Sequence, residues 1–209
     1  MYLPHVFESA PAVTRELLRA HPFATVVGPS RDDAPEIVHV PLLVDGPEEG
    51  PIDALRLSGH VARANPFARL VASEAAVTAV FHGPDSYVSA SFYGEPHEQV
   101  PTWNYAVVHV RGRLRPLDDA ALTAQLTTMA ERFERGTVRW QPDQLEVKFF
   151  ADLRRAIVGF AIDVVDVQAK LKLSQNRSPA DRERVERALG ASDQPREREV
   201  AALMGRIAL

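Results

Sequence analysis

The sequence predicts a mainly β protein, an antiparallel sheet of six to seven strands with helices attached to it. Three observations carry that expectation. Runs of β-branched or alternating residues recur along the chain, Gly-Pro and Asp-Gly turns separate them, and their sequential order favours a barrel or meander over a doubly wound sheet. A hydrophobic content of 45% over 209 residues is enough to fill a core, as one domain or one domain with a small helical annex.

Pro11 to Ala20 reads as a first helix, with Leu17 and Leu18 turned inward and His21-Pro22 ending it. Phe23 to Val27, Glu36 to Val44 and Ala54 to Val61 follow as strands, separated by Gly-Pro-Ser and Asp-Gly-Pro turns. Asn65-Pro66 predicts a helix start, because Asn can accept from the first free N–H groups and Pro fits the first turn; that helix should run to about Ser73. Val77 to Phe81 and Ser86 to Tyr93 are expected as two strands joined by Gly83-Pro84-Asp85. Tyr105 to Leu114 is the next strand, setting Val107, His109 and Arg111 against Val108 and Val110. Ala120 to Arg135 and Pro142 to Arg154 read as amphipathic helices, and Ala156 to Val167 as the last long strand. Residues 1–170 would form the β domain, and 171–209 a polar loop and helical tail packed on it or on a dimer partner. In that tail Ser178-Pro179-Ala180-Asp181 opens a charged helix ending near Gly190, and Glu197 to Leu209 forms another with Val200, Leu203, Met204 and Ile207 on one face.

Composition narrows the function. Cysteine is absent, so there is no disulfide framework, thiolate metal site or Cys nucleophile, which suits a reducing cytoplasm. The first residues lack a basic and then apolar leader, and no apolar run is long enough to span a membrane. A net charge of -4 argues against a broadly basic nucleic-acid binder. Walker, Gly-x-Gly-x-x-Gly, His-Glu-x-x-His and Gly-x-Ser-x-Gly patterns are missing, which removes support for phosphate-loop, dinucleotide, zincin and hydrolase chemistry. His39, His60, His82 and His109 lie in or near strands without the spacing of a compact metal site, so no metal is expected.

Three polar clusters remain. Trp103-Asn104-Tyr105 puts stacking faces beside donors and acceptors, which suits a flat heterocycle with polar edges, although aromatics here could equally cap a core. Gly59 to Asn65 ends a strand and enters a helix, where Arg63 and backbone N–H groups could hold a phosphate. Lys170 to Arg177 alternates cations with apolar residues, then sets Ser174, Gln175, Asn176 and Arg177 in a row; it could bind an anion or a flavin edge, or be a solvated loop.

Taken together these clusters resemble the PaiB-type family of FMN-binding transcriptional regulators, of the FMN-binding split-barrel fold. The resemblance runs through Met1-Tyr2-Leu3-Pro4, His39-Val40-Pro41-Leu42, Gly59 to Pro66, Tyr87-Val88-Ser89, Val100 to Tyr105, Ile157 to Phe160 and Lys172 to Arg177. It implies a split β-barrel homodimer with FMN at the subunit interface and a role as negative regulator. It also implies that Arg63 takes the FMN phosphate, that His60 and Asn65 shape that pocket, and that Trp103, Asn104 and Tyr105 lie near the isoalloxazine. Lys172, Ser174, Gln175 and Asn176 would close the site. DNA would be a partner by resemblance, but Arg182, Arg184 and Arg187 alternate with Asp181, Glu183 and Glu186, so charge does not support it. Two other readings are an FMN-dependent oxidoreductase and, more remotely, a haem protein using His60 or His109. The chain departs from the family pattern at Ala90, Phe92 and Ala169, where Pro, Trp and Gly are usual, so the pocket wall differs there.

Overall fold

The computed structural model describes residues 1–30 and 34–207. Among these residues seven strands form one sheet: β1 Phe23–Gly28, β2 Glu36–Pro41, β3 Leu43–Asp45, β4 Arg56–Ala62, β5 Ala76–Val88, β6 Thr102–Pro116 and β7 Ile157–Lys172. Their order is β2-β1-β5-β6-β7-β4-β3. The α-helices are α1 Pro11–Ala20, α2 Ala68–Ala72, α3 Asp119–Phe133, α4 Val147–Arg155, α5 Pro179–Gly190 and α6 Pro195–Arg206. The registers of β1 with β2 and β5, and of β4 with β3 and β7, are all antiparallel. The expected antiparallel sheet with attached helices, of split-barrel type, is the fold found. No helix among the described residues is long and apolar enough to cross a membrane.

The chain makes two compact units. One contains Met1–Leu17, His82–Val108 and Gln168–Leu209; the other contains Leu18–Phe81 and His109–Val167. In the second, strand alternation turns Val26, Leu57, Val61, Phe81, Phe160 and Ile162 inward, and Phe67 packs against Phe160 with ring centroids 6.0 Å apart. Gly112 lets β6 lie close to β7, since a Cβ there would stand 2.3 Å from the Asp163 carbonyl oxygen. In the first unit Leu171, Leu173, Val185, Leu189, Val200, Leu203 and Met204 are buried, so the apolar stripe of α6 packs within its own unit. Ser178 begins α5 as the sequence suggests, its Oγ accepting from the Asp181 backbone N–H at 3.2 Å.

Several boundaries differ from the sequence expectation, each for a physical reason. Ala76–Val88 is one strand and not two, because Gly83-Pro84-Asp85 continues straight through. Pairing with β1 stops at Phe81, so the missing N–H of Pro84 costs that ladder nothing, and Gly83 lets β5 approach Ala106 closely. The Glu36–Val44 run divides at Leu42, whose N–H turns to the Pro22 carbonyl as the chain passes from pairing with β1 to pairing with β4. The helix after Asn65-Pro66 starts only at Ala68, because Asn65 Oδ1 accepts from Phe67 N–H and closes a turn first. The Pro142–Arg154 segment is a short 3₁₀ turn over Pro142–Gln144, then α4; extended backbone at Leu145 and Glu146 separates them. Finally, β7 runs on to Lys172, so Lys170-Leu171-Lys172 is strand and not loop.

Candidate functional site

The sequence-predicted site residues divide between the two units. His60, Arg63 and Asn65 belong to one, and Trp103, Asn104, Tyr105, Lys172, Ser174, Gln175 and Asn176 to the other.

Arg63 leaves β4 at the corner where α4 meets β7. Its backbone N–H donates to the Ala156 carbonyl at 2.8 Å, its Nε to the Arg155 carbonyl at 2.7 Å and its Nη2 to the Ile157 carbonyl at 2.9 Å. The guanidinium therefore caps the C-terminus of α4 from a distant part of the chain, where free carbonyls and the helix dipole both favour a cation. This fixes the plane of the fork. One edge is spent on carbonyls, while the Nη1 hydrogens and the second Nη2 hydrogen have no partner among the described residues. Arg63 is exposed, so the remaining edge is open to an anion and has the geometry that phosphate accepts. The residues present thus fit the phosphate end of FMN. The fit rests on Arg63 and the Asn65 turn, because the five residues of α2 are too few for a helix-terminus site.

His60 points from β4 toward α3. Burial holds its imidazole below the ordinary pKa. Gln125 stands close enough to oppose that shift weakly, but no pair of their polar atoms meets hydrogen-bond geometry, so burial decides the direction. The Gln125 carboxamide is itself buried without a partner, and Gln125 also lines a cleft of about 230 Å³ with Ser58, Asp45 and Arg56.

In the other unit, alternation along β6 sends Asn104 inward and its neighbours outward. Trp103 remains 53% exposed and meets the half-exposed Tyr87 edge to face, with centroids 6.0 Å apart. Asn104 is 0% exposed; its Nδ2 donates to Ser174 Oγ at 3.0 Å and lies 3.5 Å from Met204 Sδ. Lys172 Nζ donates to Thr102 Oγ1 and to the Trp103 carbonyl, both at 2.6 Å, and its pKa is lowered by burial, Arg177 and Lys170. Gln175 folds back on its own chain, accepting from Leu173 N–H and donating to the Leu171 carbonyl, each at 2.6 Å. Ser174 takes a left-handed φ of 64° to make that turn, and Asn176 is exposed. Tyr105 carries Lys170 over its ring at 5.7 Å. This unit therefore offers an exposed indole beside a partly buried ammonium, with Asn104, Ser174 and Gln175 holding that surface from behind.

Sequence reasoning missed several groups. Tyr87 as the partner of Trp103, Gln125 of α3 beside His60, and an open cleft of about 560 Å³ bounded by Val27, Thr78, Arg111, Arg113 and Val165 all arise from contacts between residues distant in sequence. No expected site residue lines that cleft.

Residues 1–166 match the family model described as "Putative FMN-binding domain". The chain belongs to this FMN-binding family. Membership agrees with the resemblance read from the sequence and with FMN as the cofactor. The chain is 35% identical over 208 residues to "Protease synthase and sporulation protein PAI 2" of Bacillus subtilis, covering 98% of this chain and 96% of that one. Among solved structures, it resembles the FAD and haem binding protein of Mycobacterium smegmatis with a TM-score of 0.57 at 20% identity, over 78% of this chain and 71% of that one. A conserved hypothetical protein from Mycobacterium tuberculosis aligns with a TM-score of 0.61 at 11% identity, over 86% of this chain and 94% of that one. These two structural likenesses establish the shared fold.

Proposed function

We propose that this chain is a flavin-responsive negative regulator that works in the cytoplasm as a homodimer, with FMN at the subunit interface. The observation that carries the regulator reading is the 35% identity to the Bacillus subtilis protein named "Protease synthase and sporulation protein PAI 2", which extends over 98% of the chain. The spare edge of Arg63 supports the phosphate assignment, with Asn65 and His60 shaping its surroundings. Trp103 supplies a face for the isoalloxazine, with Tyr105, whose ring carries Lys170, near it; Lys172 supplies positive charge; Asn104, Ser174 and Gln175 hold those groups in place, with Asn176 at the rim. FMN when bound supplies a redox-active, planar heterocycle, and these residues bind and orient it.

The regulator would act through protein contacts. On α5, Arg182 turns to the Met204 and Ile207 carbonyls, Arg184 pairs with Asp181 at 3.0 Å and Arg187 with Glu183 at 2.6 Å. That helix leaves no row of free cations for a phosphate backbone. Light scattering of the FMN-loaded protein tests the assembly: a dimer at micromolar concentration is expected, and a monomer refutes it. Salt-dependent retardation of promoter DNA would overturn the protein-contact route, and steady flavin turnover with a nicotinamide cofactor would favour the oxidoreductase reading instead.

A further inference from the structure

We infer that α4 and the Arg63 phosphate contact are coupled, with Arg154 acting as a positioning residue that holds the C-terminal end of α4, whose Arg155 and Ala156 carbonyls Arg63 engages. The inference rests on Arg63 being the phosphate ligand, and it adds a regulated element to that site.

The helix is unusual in how it is held. None of its residues is buried, and Phe149, Leu153 and Val147 are exposed. Packing therefore contributes little to its position, and polar contacts at its C-terminal end do most of the holding. Two arginines make those contacts. Arg154 Nη1 reaches across to α3, donating to the Asp119 carbonyl at 3.2 Å and to Thr123 Oγ1, while its guanidinium lies 5.6 Å from the Phe150 ring centroid. Arg63 takes the next three carbonyls, Arg155, Ala156 and Ile157, in succession. The Ile157 carbonyl opens β7 and is held by the β4–β7 ladder, so fastening α4 to α3 sets where the Arg155 acceptor lies relative to it, and with that the plane of the Arg63 fork.

The coupling follows from shared bonds. An anion on the free edge of Arg63 fixes the same guanidinium plane that binds the corner, and polarisation along the chain of hydrogen bonds strengthens the carbonyl contacts. Linkage makes the effect reciprocal: a docked α4 raises phosphate affinity, and bound phosphate orders α4. The exposed face carrying Phe149 and Leu153 would then be presented in one fixed orientation only when the flavin phosphate is held.

The test uses the full chain with FMN and with riboflavin, which has the same ring system and lacks the phosphate. In the wild type we expect FMN to bind about tenfold or more tightly than riboflavin. Arg154→Gln, which touches no proposed ligand atom, should reduce that preference at least about fivefold while leaving riboflavin affinity unchanged. An unchanged preference in Arg154→Gln, with the wild-type preference intact, overturns the coupling and leaves the flavin reading standing. No wild-type preference for FMN removes the Arg63 reading and the coupling with it. A second measurement needs no variant: backbone hydrogen exchange across Phe150–Val158 should slow with FMN and not with riboflavin. Equal exchange with the two ligands, where both bind, refutes the coupling.

Discussion

Removing the Asn104 carboxamide should cost far more stability than an outward-facing strand residue would. Asn104→Ala deletes the partner of the Ser174 hydroxyl, and Ser174 is only 3% exposed, so water cannot replace the lost bond without rearrangement. A buried hydroxyl left unpaired costs about 1–3 kcal/mol. The space vacated beside Met204 adds about 1 kcal/mol. Together these give roughly 2–4 kcal/mol, or a fall in melting temperature of about 5–15 °C for a chain of this size. Urea unfolding at 25 °C followed by circular dichroism measures the loss directly. Because the penalty resides in an orphaned partner, Asn104→Ala/Ser174→Ala should be less destabilised than the sum of the single variants by about 1–2 kcal/mol. A loss below about 0.5 kcal/mol for Asn104→Ala, or strict additivity of the pair, would refute the reasoning.

Gly112→Ala should be among the most damaging small substitutions, since its Cβ would meet the Asp163 carbonyl oxygen and Ile162 Cγ2 at 2.3 and 2.5 Å; we expect a loss above about 3 kcal/mol, and a melting temperature near wild type would contradict the close β6–β7 approach. Gly205→Ala on α6 meets only the flexible end of Glu186, so its melting temperature should equal or exceed the wild type's. His60 adds a pH dependence. Its folded-state pKa lies below its unfolded value, so the stability it contributes is present above about pH 6.5 and is lost as pH falls below that toward the folded value. The drop in urea midpoint between pH 7.5 and 5.5 should be smaller in His60→Gln than in the wild type, and equal drops would exclude His60 as the cause. For Lys172, competitive acetylation across pH should show an amine titrating below the ordinary value near 10.4; titration at or above it would mean that the pair of bonds to Thr102 and Trp103, and not burial, dominates.

The sequence was most legible where one local signal decided the structure. Alternation placed Val108 and Val110 inside β6, and the Ser178-Pro179 start of α5 formed as its chemistry requires. It was least legible where a distant partner overrode local chemistry. Gly83-Pro84-Asp85 reads as a turn but continues β5, because that stretch lies beyond the β1 ladder and a glycine there admits β6. Lys170-Leu171-Lys172 reads as loop, yet its period-two pattern extends β7, with Lys172 bonded to the start of β6. Arg63 could be singled out by charge and position; its clamp on carbonyls more than 90 residues away leaves no local trace. Asn104, expected near the isoalloxazine, and Gln175, expected to help close the site, both make internal hydrogen bonds, to Ser174 and to its own turn respectively, that composition does not reveal.

The most direct test of the account is a fluorescence titration of the apoprotein with FMN, comparing wild type with Arg63→Ala well below the melting temperature of each. Saturable binding at micromolar concentration or tighter in the wild type, weakened about tenfold or more by the substitution, is the predicted result. Equal binding by the two proteins would contradict the assignment of the phosphate to Arg63, and no saturable binding by the wild type would contradict the flavin site as a whole.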